Sequence, residues 1–263
     1  MIKAIFFDCD GTLLSHTSGT VRESTVQAFK QLREQGIRCI LSTGRHVSEL
    51  RDLTPVHVLS FDAYITLNGA YTYDAQRVLS SYPLEKEDIA RVYSFLNEND
   101  LPIQFLEAEE SYISSVNETV IRSQASIHTP VPKILPYERI LEHPVYMLIP
   151  FGIKQAEPLI HSLNHVQATW WNHHDAIDVV HESAGKDRGM EAIMDAYGWK
   201  REETMAFGDA MNDLPMIRMA GIGLAMGNGE DALKKEADLV ADDIDQDGLY
   251  HALVKLGILE DMR

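Results

Sequence analysis

The 263-residue chain has only two cysteines, Cys9 and Cys39, both inside apolar segments and without the paired spacing of a metal site. A disulfide framework and a zinc site are therefore not expected, and a reducing compartment is. Positive charge is scarce as well: 23 Lys and Arg stand against 40 Asp and Glu, a formal net charge of −17. A field of that sign repels nucleic acid and anionic lipid, so neither is an expected partner. No apolar run approaches the roughly 20 residues of a membrane span. Residues 1–7 meet Asp8 and Asp10 before an apolar core of signal-peptide length can form. The expectation is a cytoplasmic protein that has no membrane partner, and no apolar stripe stands out to assign an oligomeric state. What is present is ordinary globular composition, 45% hydrophobic and 24% charged, enough for one large domain or two modest ones. An anionic substrate of so acidic a chain would need a locally positive pocket, made by a metal ion, a few cations or backbone N–H groups.

Short apolar runs, each stopped by a polar or glycine cluster and alternating with helical periodicity, recur at both ends of the chain. Residues 4–7 stop at Asp8-Cys9-Asp10-Gly11-Thr12, residues 37–41 at Ser42-Thr43-Gly44-Arg45, and residues 64–67 at Asn68-Gly69. Later, residues 204–207 stop at Gly208-Asp209, residues 222–225 at Met226-Gly227, and residues 239–241 at Asp242-Asp243. Between the first two runs Val26, Phe29 and Leu32 mark one helix face, with Thr20 or Ser24 as the start signal and Gly36 as the stop. Continuous rather than alternating hydrophobicity fits strands buried on both faces of a parallel sheet. Ligands then gather at the carboxyl ends of those strands, which is where every polar cluster lies. The fold class expected is α/β, a Rossmann-like parallel-sheet core. Residues 83–182 lack these units and carry Pro130, Pro132, Pro136 and Pro144. They read as an inserted α+β domain, leaving 1–82 and 183–263 as a discontinuous core.

Asp8 and Asp10 lie two apart where the chain turns at Gly11, so one carboxylate can attack or bind metal while its neighbour handles protons. An acidic strand-to-loop turn is the plainer reading. Thr43 and Gly44 are small enough to bring a hydroxyl and a backbone N–H against an anion, though an ordinary helix cap would look the same. Lys186 opens a helix, where a cation opposes the helix dipole unless an anion sits beside it. Asp209, Asn212 and Asp213 supply hard oxygen ligands suited to Mg2+, or an acidic helix cap.

In that order these four segments resemble the motifs of the haloacid-dehalogenase-like phosphohydrolases, and the long insert resembles the α/β cap of their Cof-type sugar-phosphatase branch. Asn68-Gly69 and the closing Asp247-Gly248-Leu249 fit as well. The resemblance implies Asp8 as the nucleophile that becomes an aspartyl-phosphate and Asp10 as the acid and base. It implies Mg2+ on the Asp8 carboxylate, the Asp10 carbonyl and Asp209, with Asp213 as an indirect or variable metal ligand. Phosphate would contact Cys9 and Gly44 through the backbone, and Thr43, Lys186 and Asn212. Substrate contacts are expected from Arg45, Asn68 and, in the cap, His173, although Trp170 to His174 also read as a half-buried strand and a solvated turn. The substrate implied is a small phosphorylated metabolite. A phosphomutase uses the same aspartyl-phosphate, and a phosphate-sensing module phosphorylated on Asp8 is the reading from another class.

Overall fold

The computed structural model of the chain describes residues 1–51, 53, 57–127, 129–171 and 175–261. They divide into two compact units, one comprising Met1–Arg45, Leu50–Ser80 and Gly185–Arg263, the other His46–Glu49 and Ser81–Ala184. Five strands come first: β1 (Ala4–Asp8), β2 (Arg38–Ser42), β3 (Ala63–Thr66), β4 (Tyr71–Asp74) and β5 (Val78–Ser81). The second unit contains β6 (Ile103–Leu106), β7 (Ser111–Ile113), β8 (Met147–Pro150), β9 (Val166–Trp170) and β10 (Ile177–His181). Three more, β11 (Thr204–Gly208), β12 (Ile222–Ala225) and β13 (Leu239–Val240), return to the first unit.

The first unit is built on one sheet of order β13-β12-β11-β1-β2-β3-β4-β5. Every pairing from β13 to β3 is parallel, and β4 runs antiparallel to β3. Strand β1 explains why its sequence is apolar throughout. Ile5 and Phe7 pack with Phe29 and Leu32 of the helix Glu23–Glu34. Ala4 and Phe6 point the other way, toward Met190 and Ile193 of the helix Lys186–Tyr197. Two covered faces leave no place for a polar side chain until the strand ends. Register then decides which ends meet: Phe7 pairs with Phe207 and Leu41, and Asp8 pairs with Ser42. The chain leaves β1 for β2 on one side while β11 flanks it on the other, the reversal of strand order beside which α/β sheets bind ligands. One local expectation needs correcting. The first helix begins at Glu23 after Arg22, with no side-chain cap, because the Ser24 hydroxyl instead donates to Asp247 Oδ1 at 2.6 Å.

The second unit carries an antiparallel sheet of order β7-β6-β8-β10-β9. Ile103 and Phe105 of β6 join Leu148, Ile177 and Val179 in a core with Ile89, Val92 and Leu96 of the helix Lys86–Glu98. On the alternate face Gln104 accepts a hydrogen bond from Gln124 of the helix Glu118–Ser126 at 2.9 Å. Asp88, in the first turn of Lys86–Glu98, is 1% exposed and accepts from the Asn164 and His165 N–H groups, both at 3.0 Å, and from Arg91 at 2.7 Å. Burial alone would raise this carboxyl, but the two N–H donors and Arg91 outweigh it and hold Asp88 below the usual carboxylate range. Asp88→Ala leaves two buried donors without acceptors and should destabilise this unit by about 2–4 kcal/mol in denaturant titration. The stabilisation is fully present above the unfolded value of about 3.9 and disappears as pH falls through the lower folded value. A melting temperature of the variant equal to that of the parent at pH 7 would contradict this account.

Candidate active site

The carboxyl end of β1 brings three acids and one buried cation together. Lys186, 1% exposed, donates from Nζ to Asp8 Oδ1 at 2.6 Å, to Asp213 Oδ1 at 2.6 Å and to the Ser42 carbonyl at 3.1 Å. All three ammonium protons are thereby used, which answers why a lysine can open a buried helix. Burial on its own would discharge Lys186, but Asp213 and Asp8 outweigh it and hold the ammonium above the ordinary lysine range. Asp213 turns its other oxygen back on the chain, accepting from the Asp209 N–H at 3.0 Å and the Ala210 N–H at 3.1 Å. It thus fastens the loop after β11 to the cation.

Carboxylate oxygens of Asp8, Asp209 and Asp213 lie within 4.8 Å of one another. Burial and the neighbouring acids push Asp8 well above its usual range against the pull of Lys186. The same causes, burial first and Asp213 next, push Asp209 up to about 7. Three acids against one cation leave a surplus of negative charge, and an all-oxygen donor set with that surplus is chemically suited to a hard divalent cation. The turn at Gly11 makes this crowding possible. Its φ is +82°, and a Cβ there would fall 2.2 Å from Asp209 Oδ2.

Asp10 is bound to a different cation from Asp8. Arg45 forks onto it, Nε to Oδ2 at 2.8 Å and Nη2 to Oδ1 at 2.8 Å. The Arg45 N–H donates to Thr43 Oγ1 at 3.1 Å. Beyond β3, Asn68 accepts at Oδ1 from Asn212 Nδ2 at 3.2 Å. A Cβ on Gly44 would lie 3.0 Å from the same oxygen. The first unit thus holds a polar cluster in two bonded groups: Lys186 with Asp8, Asp213 and the loop at Asp209, and Asp10 with Arg45, Thr43, Asn68 and Asn212 around Gly44. The Cys9 thiol is outside it, fully buried among apolar side chains and pushed up mainly by that burial, an unreactive position. His173 lies outside the described residues.

Two contributors escaped sequence reasoning. The Ser42 carbonyl is a ligand of Lys186, and main-chain acceptors carry no sequence signal. Asn228 donates to the Gly11 carbonyl at 2.8 Å and accepts from the Ile244 N–H at 2.9 Å, tying the turn at Gly11 to the segment before the last helix. Its position directly after Met226-Gly227, at the end of an apolar run, was the available clue.

A family model of haloacid dehalogenase-like hydrolases matches residues 5–253. Pyridoxal phosphate phosphatase YbhA of Escherichia coli is 29% identical over 262 residues, covering 94% of this chain and 96% of YbhA. Among solved structures, BT1666 from Bacteroides thetaiotaomicron, a phosphatase of the haloalkanoate superfamily, superposes with a TM-score of 0.87 at 31% identity, covering 98% of this chain and 96% of BT1666. The subclass IIB sugar phosphatase BT4131 gives 0.84 at 30% identity, covering 98% of this chain and all of that one. A match that begins in β1, ends in the last helix and takes in every strand end converging on Lys186 leaves one assignment: the chain belongs to the haloacid dehalogenase-like hydrolases.

Proposed function

We propose that this protein hydrolyses small phosphorylated metabolites, sugar phosphates among them, through an aspartyl-phosphate on Asp8 and with Mg2+ as cofactor. As a member of its family with phosphatase relatives along its whole length, it is a phosphoric monoester hydrolase. The observation that carries the finer reading is the Lys186 ammonium bridging Asp8 and Asp213 beside Asp209, at the switch point of the sheet. The family match to hydrolases favours hydrolysis over mutase or sensor behaviour.

In this reading Asp8 attacks phosphorus while the bond from phosphorus to the leaving oxygen breaks. Asp10 passes a proton to that oxygen, then takes one from the water that opens the aspartyl-phosphate. Asp8 and Asp209 would hold the cation, with the Asp10 carbonyl, and Asp213 orients Lys186 and the loop after β11. The divalent cation, when bound, supplies the charge that keeps Asp8 ionised beside a dianionic phosphoryl group. Lys186 adds a fixed positive charge, Thr43 and Asn212 offer donors to phosphate oxygens, and the backbones of Cys9 and Gly44 complete the cradle. Arg45 fixes the direction of the Asp10 carboxylate. Residues 1–82 and 183–263 carry the chemistry, supported by the grouping of every motif residue in the first unit. Residues 83–182 select the substrate. Both cysteines are free and buried, and among the described residues no helix is long and apolar enough to cross a membrane.

The test is phosphate release from a panel that includes hexose phosphates and pyridoxal 5′-phosphate. EDTA should reduce turnover to background, Mg2+ should restore it and Ca2+, with its larger and looser coordination, should not. Turnover that survives EDTA would refute the metal assignment. Interconversion of phosphate positions on a sugar without phosphate release would establish the mutase instead.

A further inference from the structure

Resting on the phosphatase reading, we infer that Asn68 is a positioning residue, acting through Asn212, rather than a contact to the substrate. Three consecutive residues after β3 take left-handed backbone conformations: Leu67 at φ 53°, Asn68 at φ 53° and Gly69 at φ 90°. For Leu67, which is 1% exposed, that conformation is strained, and such strain persists only where the surroundings over-determine it. The surroundings here are the phosphate-binding segments themselves. The Leu67 N–H donates to the Arg45 carbonyl at 3.3 Å and the Asn68 N–H to the Thr43 carbonyl at 3.1 Å, so the turn is laced to the corner after β2. A Cβ on Gly69 would meet the Gly185 carbonyl at 1.9 Å, so the turn also abuts the residue before Lys186.

From this turn the Asn68 amide reaches across Gly44 to Asn212. Its oxygen takes one of the two N–H groups of Asn212 Nδ2. Asn212 is exposed, on a short loop after β11, and its side chain would otherwise sample several rotamers. Fixing one N–H aims the other, and a donor aimed in advance is worth more to a developing phosphoryl charge than one that must be ordered during reaction. Glycine at position 44 is what lets the amide pass, since any side chain there would press on it. One strained turn therefore ties together the three segments that hold phosphate.

The experiment is a double-mutant cycle on the full chain with Asn68→Gly and Asn212→Ala, using the best substrate of the panel. Glycine accepts φ 53° freely, so Asn68→Gly keeps the turn and removes only the amide. Each single variant should lower kcat/KM by on the order of 10-fold and weaken inhibition by inorganic phosphate, with the melting temperature unchanged. The double variant should be within about 2-fold of Asn212→Ala alone. Losses that multiply to about 100-fold would show Asn68 acting on substrate directly and overturn the proposal, as would parental kcat/KM in Asn68→Gly. If the parent protein itself releases no phosphate from any compound, the phosphatase reading is what has failed.

Discussion

Asp8→Asn should abolish phosphate release, by on the order of 10^4-fold or more, while the protein stays folded. The amide oxygen can still accept from Lys186 at the place where Asp8 Oδ1 now sits 2.6 Å away, so the cluster keeps its shape. What disappears is the nucleophile, because a neutral amide does not form an acyl-phosphate under these conditions. The stability effect has an unusual sign. Asp8 is buried with Asp209 and Asp213 around a single ammonium, and burial and like charge already push its carboxyl upward. Removing one of three crowded negative charges relieves that repulsion, so in metal-free buffer the variant should melt at or above the parent temperature. A melting point lower by several degrees would mean that Asp8 holds the fold, and retained turnover would remove it from the chemistry.

Lys186→Met should lose activity and stability together. The change leaves Asp8 and Asp213 facing each other in a site where they are 6% and 0% exposed. Breaking a buried pair by deleting one partner typically costs about 3–5 kcal/mol, because an uncompensated charge remains. The melting temperature should fall by on the order of 10 °C. Arginine should not rescue it: a planar guanidinium cannot occupy a space closed around an ammonium by two 2.6 Å contacts and one at 3.1 Å. Adding Asp213→Asn to Lys186→Met should recover part of the stability and none of the turnover. Unchanged melting in Lys186→Met would contradict the buried-triad account. Asp8→Asn and Lys186→Met therefore share an activity phenotype and are told apart by opposite effects on melting.

Much of this arrangement was legible in residues 4–7, 37–41 and 204–207, because strands covered on both faces must be apolar until they end. The acids and small hydroxyl residues that break the runs then mark the strand ends. Asp88 shows the limit. In sequence it is one of several acids opening a helix, and nothing local distinguishes it from Glu85 or Glu87, yet its acceptors are taken by Asn164 and His165, more than 70 positions away. Arg45 shows it again: nothing in its position next to Gly44 announces that its fork closes on Asp10. Ser24 read as a helix cap until Asp247 claimed its hydroxyl.

What the sequence determined by itself is the succession of the buried parallel strands along the chain, the positions where each ends, and hence the set of side chains available at one edge of the sheet. Hydrophobic patterning is local and survives without knowledge of partners. Only the tertiary structure decided which acid meets Lys186, which meets Arg45, and that Asn68 reaches Asn212 from a left-handed turn. Those pairings depend on register, on backbone approach at Gly11 and Gly69, and on electrostatic balance in a buried site, all of which are properties of distances between segments remote in sequence.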